Sequence, residues 1–297
     1  MTAWRAPAAW RACATAALIL AAAPGHPQPR ASNASVTERG LDGSLRAAVR
    51  QIAQSAAAPL WVAWEAAAAD PESRMCCGEG WSDARPPGAA CSLEPGAGGA
   101  VLRRDPAAGT SLEPAETFFV FARLEGGAVE RVRIFSADCP LDGRGRGIVW
   151  LTKVPAAESV SFLASLAEDD SASRRAAQGA LVALSQHAAP EAVARLIRLA
   201  RTAAQARVRG DALFWLSQRA SSRIEGVLAD AAREDPETDV KKRAVFALSQ
   251  LPAGQGIPRL VEIARTHPNT AVRRQAMFWL GQSKDPRALA FFEEVLR

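Results

Sequence analysis

The chain has 297 residues, 48% of them apolar and 23% charged, which is enough for two domains and a real core. Its formal charge is +5; leaving out Arg5 and Arg11, which fall in an export-like leader, 34 basic residues face 31 acidic ones. That excess is too small to argue for nucleic-acid binding.

Arg5 and Arg11 precede an apolar run, Ala12 to Ala23, with Leu18-Ile19-Leu20 at its centre. Small residues follow, then Pro24, Pro27 and Pro29. A basic start, a short apolar core and a small-residue exit are the layout of a secretory signal. The run is about 12 residues long, short of the ~20 that span a bilayer. Residues 1–31 are therefore expected to be a signal peptide and a Pro-rich segment. The mature chain is expected in the periplasm of a bacterium or outside the cell, with no stable membrane span. Cys13 lies before the apolar core, not where a lipoprotein cysteine would stand.

A small α+β domain with an antiparallel sheet is expected over residues 32–155. Leu45, Ala48, Val49 and Ile52 fall at helical spacing and predict a helix near residues 43–57. Leu60-Trp61-Val62-Ala63-Trp64 reads as a strand. From Asp70 to Pro114 the chain is rich in Pro and Gly and reads as loops. Residues 118–124 and 129–135 are two strands joined by Glu125-Gly126-Gly127-Ala128, a hairpin signal. Trp150–Val154 supplies a further strand. Gly143-Arg144-Gly145-Arg146-Gly147 reads as a mobile basic turn; no Gly-Lys-Ser/Thr follows, so it is not a phosphate loop.

Four cysteines remain once the leader is set aside: Cys76, Cys77, Cys91 and Cys139. An even number in an exported chain implies disulfides. A bond between the adjacent Cys76 and Cys77 would strain the intervening peptide. Two pairings stay open: 76–91 with 77–139, or 76–139 with 77–91. A structural zinc site wants two close pairs of thiolates or imidazoles. Here one pair is adjacent, the other two are far apart, and the histidines are His26, His187 and His267. No metal and no cofactor are therefore expected. Cys-x-x-Cys is absent, so a thioredoxin-like role has no support.

Residues 156–297 repeat with a period of 32. Leu184-Ser185-Gln186 recurs as Leu216-Ser217-Gln218, Leu248-Ser249-Gln250 and Leu280-Gly281-Gln282, each with Ala four residues earlier: Ala180, Ala212, Ala244 and Ala276. Leu196, Leu228, Leu260 and Phe292 mark a second helix per repeat, with Ala200, Ala232 and Ala264 beside them. Such a period means stacked helical pairs. Thr238-Asp239 and Asn269-Thr270 stand where first helices begin, and Pro190 and Pro286 where second helices begin. A lone helix over residues 159–167 precedes the four copies and is placed to cover the first face, a job the sheet domain could share. The expected fold is mainly α: a C-terminal α-solenoid of about four helical hairpins.

Asp239-Val240-Lys241-Lys242-Arg243-Ala244-Val245-Phe246-Ala247-Leu248 resembles the first helix of a HEAT repeat, D-x-x-V-R-x-x-A-x-x-A-L in loose form. Val272-Arg273-Arg274-Gln275-Ala276 and Val208-Arg209-Gly210-Asp211-Ala212 carry its V-R-x-x-A part. The 32-residue period is most like the short HEAT-like repeats of phycobilin lyases and many bacterial proteins. The resemblance covers residues 158–297; the first copy, Ala176-Ala177-Gln178-Gly179-Ala180, lacks the V-R. It implies a packing scaffold and does not imply the lyases' activity.

Three columns are candidates for binding. Arg201, Arg233, Arg265 and Arg297 end the second helices, where a cation complements the helix dipole or forms a ladder for an anion or partner. Arg209, Lys241 and Arg273, with Lys242 and Arg274, sit in first turns, where the dipole opposes them. The resemblance implies pairing between repeats, with Asp211, Asp235, Glu237 and Asp239 as candidate acids. Phe214, Phe246 and Phe278, near Trp215 and Trp279, form either a ladder between repeats or an exposed strip. Charges on the second helices are mixed (Arg198, Asp230, Glu262, Glu293), whereas a nucleic-acid channel needs one sign.

No G-x-S-x-G, H-E-x-x-H or phosphate-cradling Gly loop is present, and no catalytic residue is assigned. The reading is an exported non-enzymatic scaffold or adaptor for a protein or peptide, with possible self-association through the strongly apolar last repeat. The alternative is an enzyme with its site in residues 32–155 or at the domain junction, the repeats serving as a substrate platform.

Overall fold

The computed structural model describes residues 28–71, 75–76, 90–94, 116–219 and 222–297. The predicted signal sequence, Cys77 and most of the predicted loop region lie outside the described residues.

β1 (Ala31–Gly40) leads into α1 (Leu45–Ser55), capped by the Ser44 side chain, which accepts from the Ala47 N–H. The helix buries Leu45, Ala48, Val49, Ile52 and Ala53, one stripe at helical spacing. Then come β2 (Leu60–Ala67), a short β3 (Cys91–Ser92), β4 (Thr117–Glu125), β5 (Ala128–Ser136) and β6 (Leu141–Thr152). The sheet order is β1-β6-β2-β4-β5, with β3 also pairing β6.

The expected antiparallel pairing holds for β2, β4 and β5. Beyond them the sheet is mixed: β6 runs parallel to β1, β2 and β3. The basic turn expected at residues 143–147 is instead part of β6. Arg144 and Gly145 have positive φ, as does Asn33 opposite, and the register shifts there. The segment is thus an irregularity within paired strands. Gly143 is required at this point, because a Cβ would lie 2.5 Å from the Ala34 Cβ.

Both faces of the sheet are buried, so its central strands read as continuous apolar runs. One face (Val62, Trp64, Phe118, Val120, Val132, Ile134) packs against helices. The other (Trp61, Phe119, Phe121, Phe135, Ile148, Trp150) packs with Cys91, Leu93 and Cys139. A Cys76–Cys139 disulfide lies on that side, which selects the second of the two open pairings as far as this bridge goes. Cys91 is also disulfide-bonded.

α2 (Ala156–Glu168) docks on the helix-facing side, where Trp64 Nε1 donates to Ser159 Oγ at 2.9 Å. Four hairpins follow: α3 (Arg174–Gln186) with α4 (Pro190–Thr202), α5 (Ala206–Ser217) with α6 (Ser222–Glu234), α7 (Thr238–Ser249) with α8 (Ile257–Thr266), and α9 (Thr270–Gln282) with α10 (Pro286–Val295). Ala180, Ala212, Ala244 and Ala276 are fully buried, and Leu184, Leu216, Leu248 and Leu280 are no more than 1% exposed. These are equivalent interior places in successive hairpins. Asn269 caps α9 as expected, accepting from Ala271 N at 2.9 Å, whereas Thr238 is the first residue of α7 and Glu237 precedes it.

The Ser-Gln half of the repeated motif ends the first helices. Ser185, Ser217 and Ser249 donate from Oγ to the carbonyls of Val182, Phe214 and Phe246 at 2.6–2.7 Å. The following glutamine, Gln186, Gln218 or Gln250, donates from Nε2 to the same hydroxyl at 3.1–3.2 Å. Local bonds of this kind compete with the helix ladder. The motif is therefore a packing and stop signal.

Both α2 and the sheet cover the first face of the stack. α3 lies along edge strand β5, so close that a Cβ on Gly179 would fall 2.1 Å from the Val132 carbonyl oxygen. The edge is thereby shielded from pairing. Ala188 N–H donates to the Ala67 carbonyl, and Ala69 N–H to that of Gln186. One apolar cluster runs from the sheet's helix-facing side to Phe291 in α10. The chain division near residue 155 does not divide that core.

Candidate interaction surface

Three members of the arginine column at the ends of the second helices form an ion ladder, while Arg297 lies beyond the end of α10 and has no ion pair among the described residues. Arg201 reaches Asp230 at 3.5 Å, Arg233 reaches Glu262 at 3.6 Å, and Arg265 pairs with Glu294. Each acid lies 29 residues after its arginine, on the next repeat's second helix. Arg198–Glu168 at 2.7 Å and Arg259–Glu225 at 3.1 Å extend the same surface. Every one of these side chains is at least a quarter exposed, so each pair contributes little, about 0–1 kcal/mol. The ladder gives the second helices an outward surface of alternating sign.

The first-turn cations resolve into three kinds. Arg209 is buried and forms a bidentate pair with Asp235, Nε to Oδ2 at 2.8 Å and Nη2 to Oδ1 at 3.0 Å. Its hydrogen bond to Asp235 holds the guanidinium above its ordinary pKa. Arg209 also donates to the Ala203 and Ala204 carbonyls, and Arg273 does the same to those of His267 and Pro268. These carbonyls end the preceding second helices. The cations that oppose one dipole thus complement the negative end of another. Lys242 pairs within its own turn, with Asp239 at 3.0 Å. Among the described residues Lys241 and Arg274 have no ion pair. Asp211, another acid expected to pair, receives Arg243 from the next repeat, and Glu237 has no ion pair among the described residues.

The phenylalanines form a ladder. Phe214 stacks on Phe246 with centroids 5.9 Å apart and planes 2° apart, and Phe246 meets Trp279 at 4.8 Å. Phe278 contacts Trp279 edge-on and is 54% exposed. Phe214 and Phe246 are half-buried.

Three polar sites were not anticipated from residue spacing. At the open end of the sheet Glu94 gathers Trp61 Nε1 at 3.3 Å, Arg123 Nε at 3.1 Å and Arg146 Nε at 3.3 Å. Nearby, Arg133 donates to the Ser92 and Leu93 carbonyls and lies over the Phe135 ring at 4.7 Å. Burial lowers its guanidinium to about 10. At the junction, His187 is 1% exposed, packs edge-on against Phe118 and accepts the Ala189 N–H at Nδ1. Burial, with Arg219 nearby, pushes it down to about 4. The strand register that brings Arg123, Arg133 and Arg146 to one end carries no sequence signature.

Two shallow recesses lie beside the junction. One, of about 210 Å³, is bounded by Glu168, Asp170, Thr202 and Gln205. The other, of about 260 Å³, lies between α1, the β4–β5 turn and α2, and presents Arg46, Arg50, Glu130 and Asp169. Cys76 and Cys139 Sγ lie with an Asp138 carboxylate oxygen within 4.8 Å of one another, but sulfurs bonded to each other offer no thiolate to a metal. No helix among the described residues is long and apolar enough to cross a membrane.

Stacked helical hairpins with one shared core and pairing between neighbours define an α-solenoid. Residues 226–297 match the family model described as HEAT repeats, and the stack is a HEAT-like repeat array. Among solved structures, human deoxyhypusine hydroxylase in complex with glycerol is 21% identical over 46% of this chain and 43% of that one, with a TM-score of 0.34. The complex of CpcE and CpcF of phycocyanin lyase from Nostoc sp. PCC7120 is 22% identical over 43% of this chain and 89% of that one, with a TM-score of 0.31. The chain thus spans less than half of the hydroxylase. No curated protein matches it significantly.

Proposed function

We propose that this protein is an exported, non-enzymatic scaffold of the periplasm or extracellular space that binds a protein or peptide partner along the second-helix flank of its solenoid. The observation that carries the reading is the ladder from Glu168 to Glu294, which repeats one mixed-sign surface along the stack. A surface of alternating sign suits a folded protein or a peptide of mixed charge and repels a polyanion's uniform backbone. Export is supported by the N-terminal basic-then-apolar pattern and by the Cys76–Cys139 bridge, which persists only in an oxidising compartment. Arg133 and His187, whose pKa values burial lowers, bond to backbone groups and not to each other.

The test is capture from an envelope fraction by the full-length protein, compared with the variant Arg233→Glu/Arg259→Glu. Both sites are exposed, so the fold survives the charge reversal. A partner retained by the wild type and lost by the variant supports the scaffold. Equal retention by both places binding elsewhere, and substrate turnover by the purified chain overturns the non-enzymatic reading. Deletion of residues 172–297 is a poor alternative, because it would bare Val132 and Ile134 on the sheet.

A further inference from the structure

On the face of the sheet turned away from the helices, one end collects arginines. Arg131 in β5 stands directly opposite Arg123 in β4, so the two side chains leave the same face. Like charges placed opposite each other destabilise a strand pair. Arg133, two residues along β5, leaves that face as well. Arg146 in β6 reaches the same carboxylate, Glu94, as Arg123 does. Two acids meet these four guanidinium groups: Glu94, and Glu125, which pairs with Arg123. The end of the sheet is thus left with two positive charges in excess.

The shortfall falls on particular residues. Arg123 has both acids, and Arg146 shares one of them. Arg133 is only 8% exposed, yet it has no ion pair among the described residues. Its two carbonyl contacts both use Nη1, which leaves the rest of its fork uncommitted. Half-buried Arg131 has neither an ion pair nor a side-chain hydrogen bond among the described residues. Burial lowers its pKa, and the charges of Arg175 and Arg123 lower it further; Glu94 offsets only part of this. Arg175 belongs to the first turn of α3, which contains no acid, so the positive end of that helix adds to the field. A partly buried cation among cations costs stability unless an anion offsets it.

We infer that Arg131, with Arg123 and Arg133 beside it, binds a doubly charged oxyanion: a phosphate group, free or carried as a monoester. Its charge equals the excess at this end of the sheet, and guanidinium forks suit phosphate oxygens. A single carboxylate would leave one positive charge unmet. The site uses no residue of the second-helix ladder, so it stands whether or not that surface holds a partner.

Titration calorimetry of the full chain with inorganic phosphate and with glycerol 3-phosphate, at constant ionic strength, tests the site. One saturable site per chain is expected, with a matching rise in thermal midpoint by mass action. Whichever of the two binds more tightly identifies the source of the phosphate group. Arg131→Gln should weaken binding at least ~10-fold, because a charge-assisted fork is lost. It should also raise the midpoint of the phosphate-free protein, since it removes the repulsion with Arg123 and Arg175. An arginine with a purely structural role would do the reverse. Arg39→Gln, which removes an exposed charge bonded to Gln51, should leave binding unchanged. The absence of a saturable site overturns the inference. So does a midpoint rise reproduced by chloride at the same ionic strength, which would be screening alone. An Arg131→Gln variant that is less stable than the wild type, or that binds phosphate as tightly, overturns it too.

Discussion

The solenoid and the sheet reach one shared core by different routes. In the solenoid each contact is made with the next repeat and made again one period later: Arg201 to Asp230, Arg233 to Glu262, Arg265 to Glu294. In the sheet nothing recurs. Ser32 donates to the carbonyl of Leu141, 109 residues away, and Cys76 bonds to Cys139 across 63 residues. The solenoid spreads its stability over many equal interfaces, whereas the sheet concentrates it in a few long-range ties. A change to a polar pair should therefore matter in the solenoid only where the pair is buried, and in the sheet wherever a tie is cut.

The largest effect sharpens that contrast from the solenoid side. Asp235→Ala leaves the buried Arg209 guanidinium without its acid and should cost about 3–5 kcal/mol. Chemical denaturation of the variant checks it; a loss no larger than that of an exposed pair would mean that water reaches Arg209. From the sheet side, Cys76→Ser/Cys139→Ser should cost about 2–4 kcal/mol by freeing a long loop in the unfolded chain. Because Val132 and Ile134 share a core with α3, the loss should lower one cooperative transition in calorimetry. Two separated transitions would instead make sheet and solenoid independent.

The junction offers a test by pH. His187 titrates near 4 when folded and near 6.5 when unfolded, so the unfolded chain binds more protons between those values. Stability contributed by neutral His187 is complete above about pH 6.5 and falls as pH drops towards 4, by about 3 kcal/mol in all. The groups facing it are Arg219, whose charge opposes protonation, and Glu191, whose charge favours it. The difference between wild type and His187→Gln, measured by denaturation from pH 7 to pH 4, should carry this slope. A flat difference would remove the histidine from the account.

How far residues alone disclosed these two regions follows from the same contrast. The four hairpins were readable because Ala180, Ala212, Ala244 and Ala276 recur in phase, and a period survives without any tertiary contact. The helix over Leu45–Ser55 and the hairpin of β4 and β5 were readable because their order is local. β1 was not, since Ala31–Gly40 is a mostly exposed edge with one apolar side chain larger than alanine, Val36. Glycines at 143, 145 and 147 argue for a turn, and only pairing with the distant β1 makes that stretch a strand. The arginine columns were visible as columns. Their acids were harder to assign, because 29-residue pairing appears only once the helices are laid side by side.

The smallest expected effect tests what the exposed ladder is for. Arg201 and Asp230 are 56% and 44% exposed, so Arg201→Ala should change stability by no more than about 1 kcal/mol. Removing Arg201 also leaves Asp230 its contact with Arg233 at 3.0 Å, which softens the loss. A near-neutral result is the informative one. A surface that repeats in every hairpin yet contributes almost nothing to folding is free to serve as a recognition surface, in line with the proposed scaffold. A loss approaching that of Asp235→Ala would instead make the ladder a structural device and move the search for a docking site to the first-helix side, where Phe278 stands exposed beside Trp279.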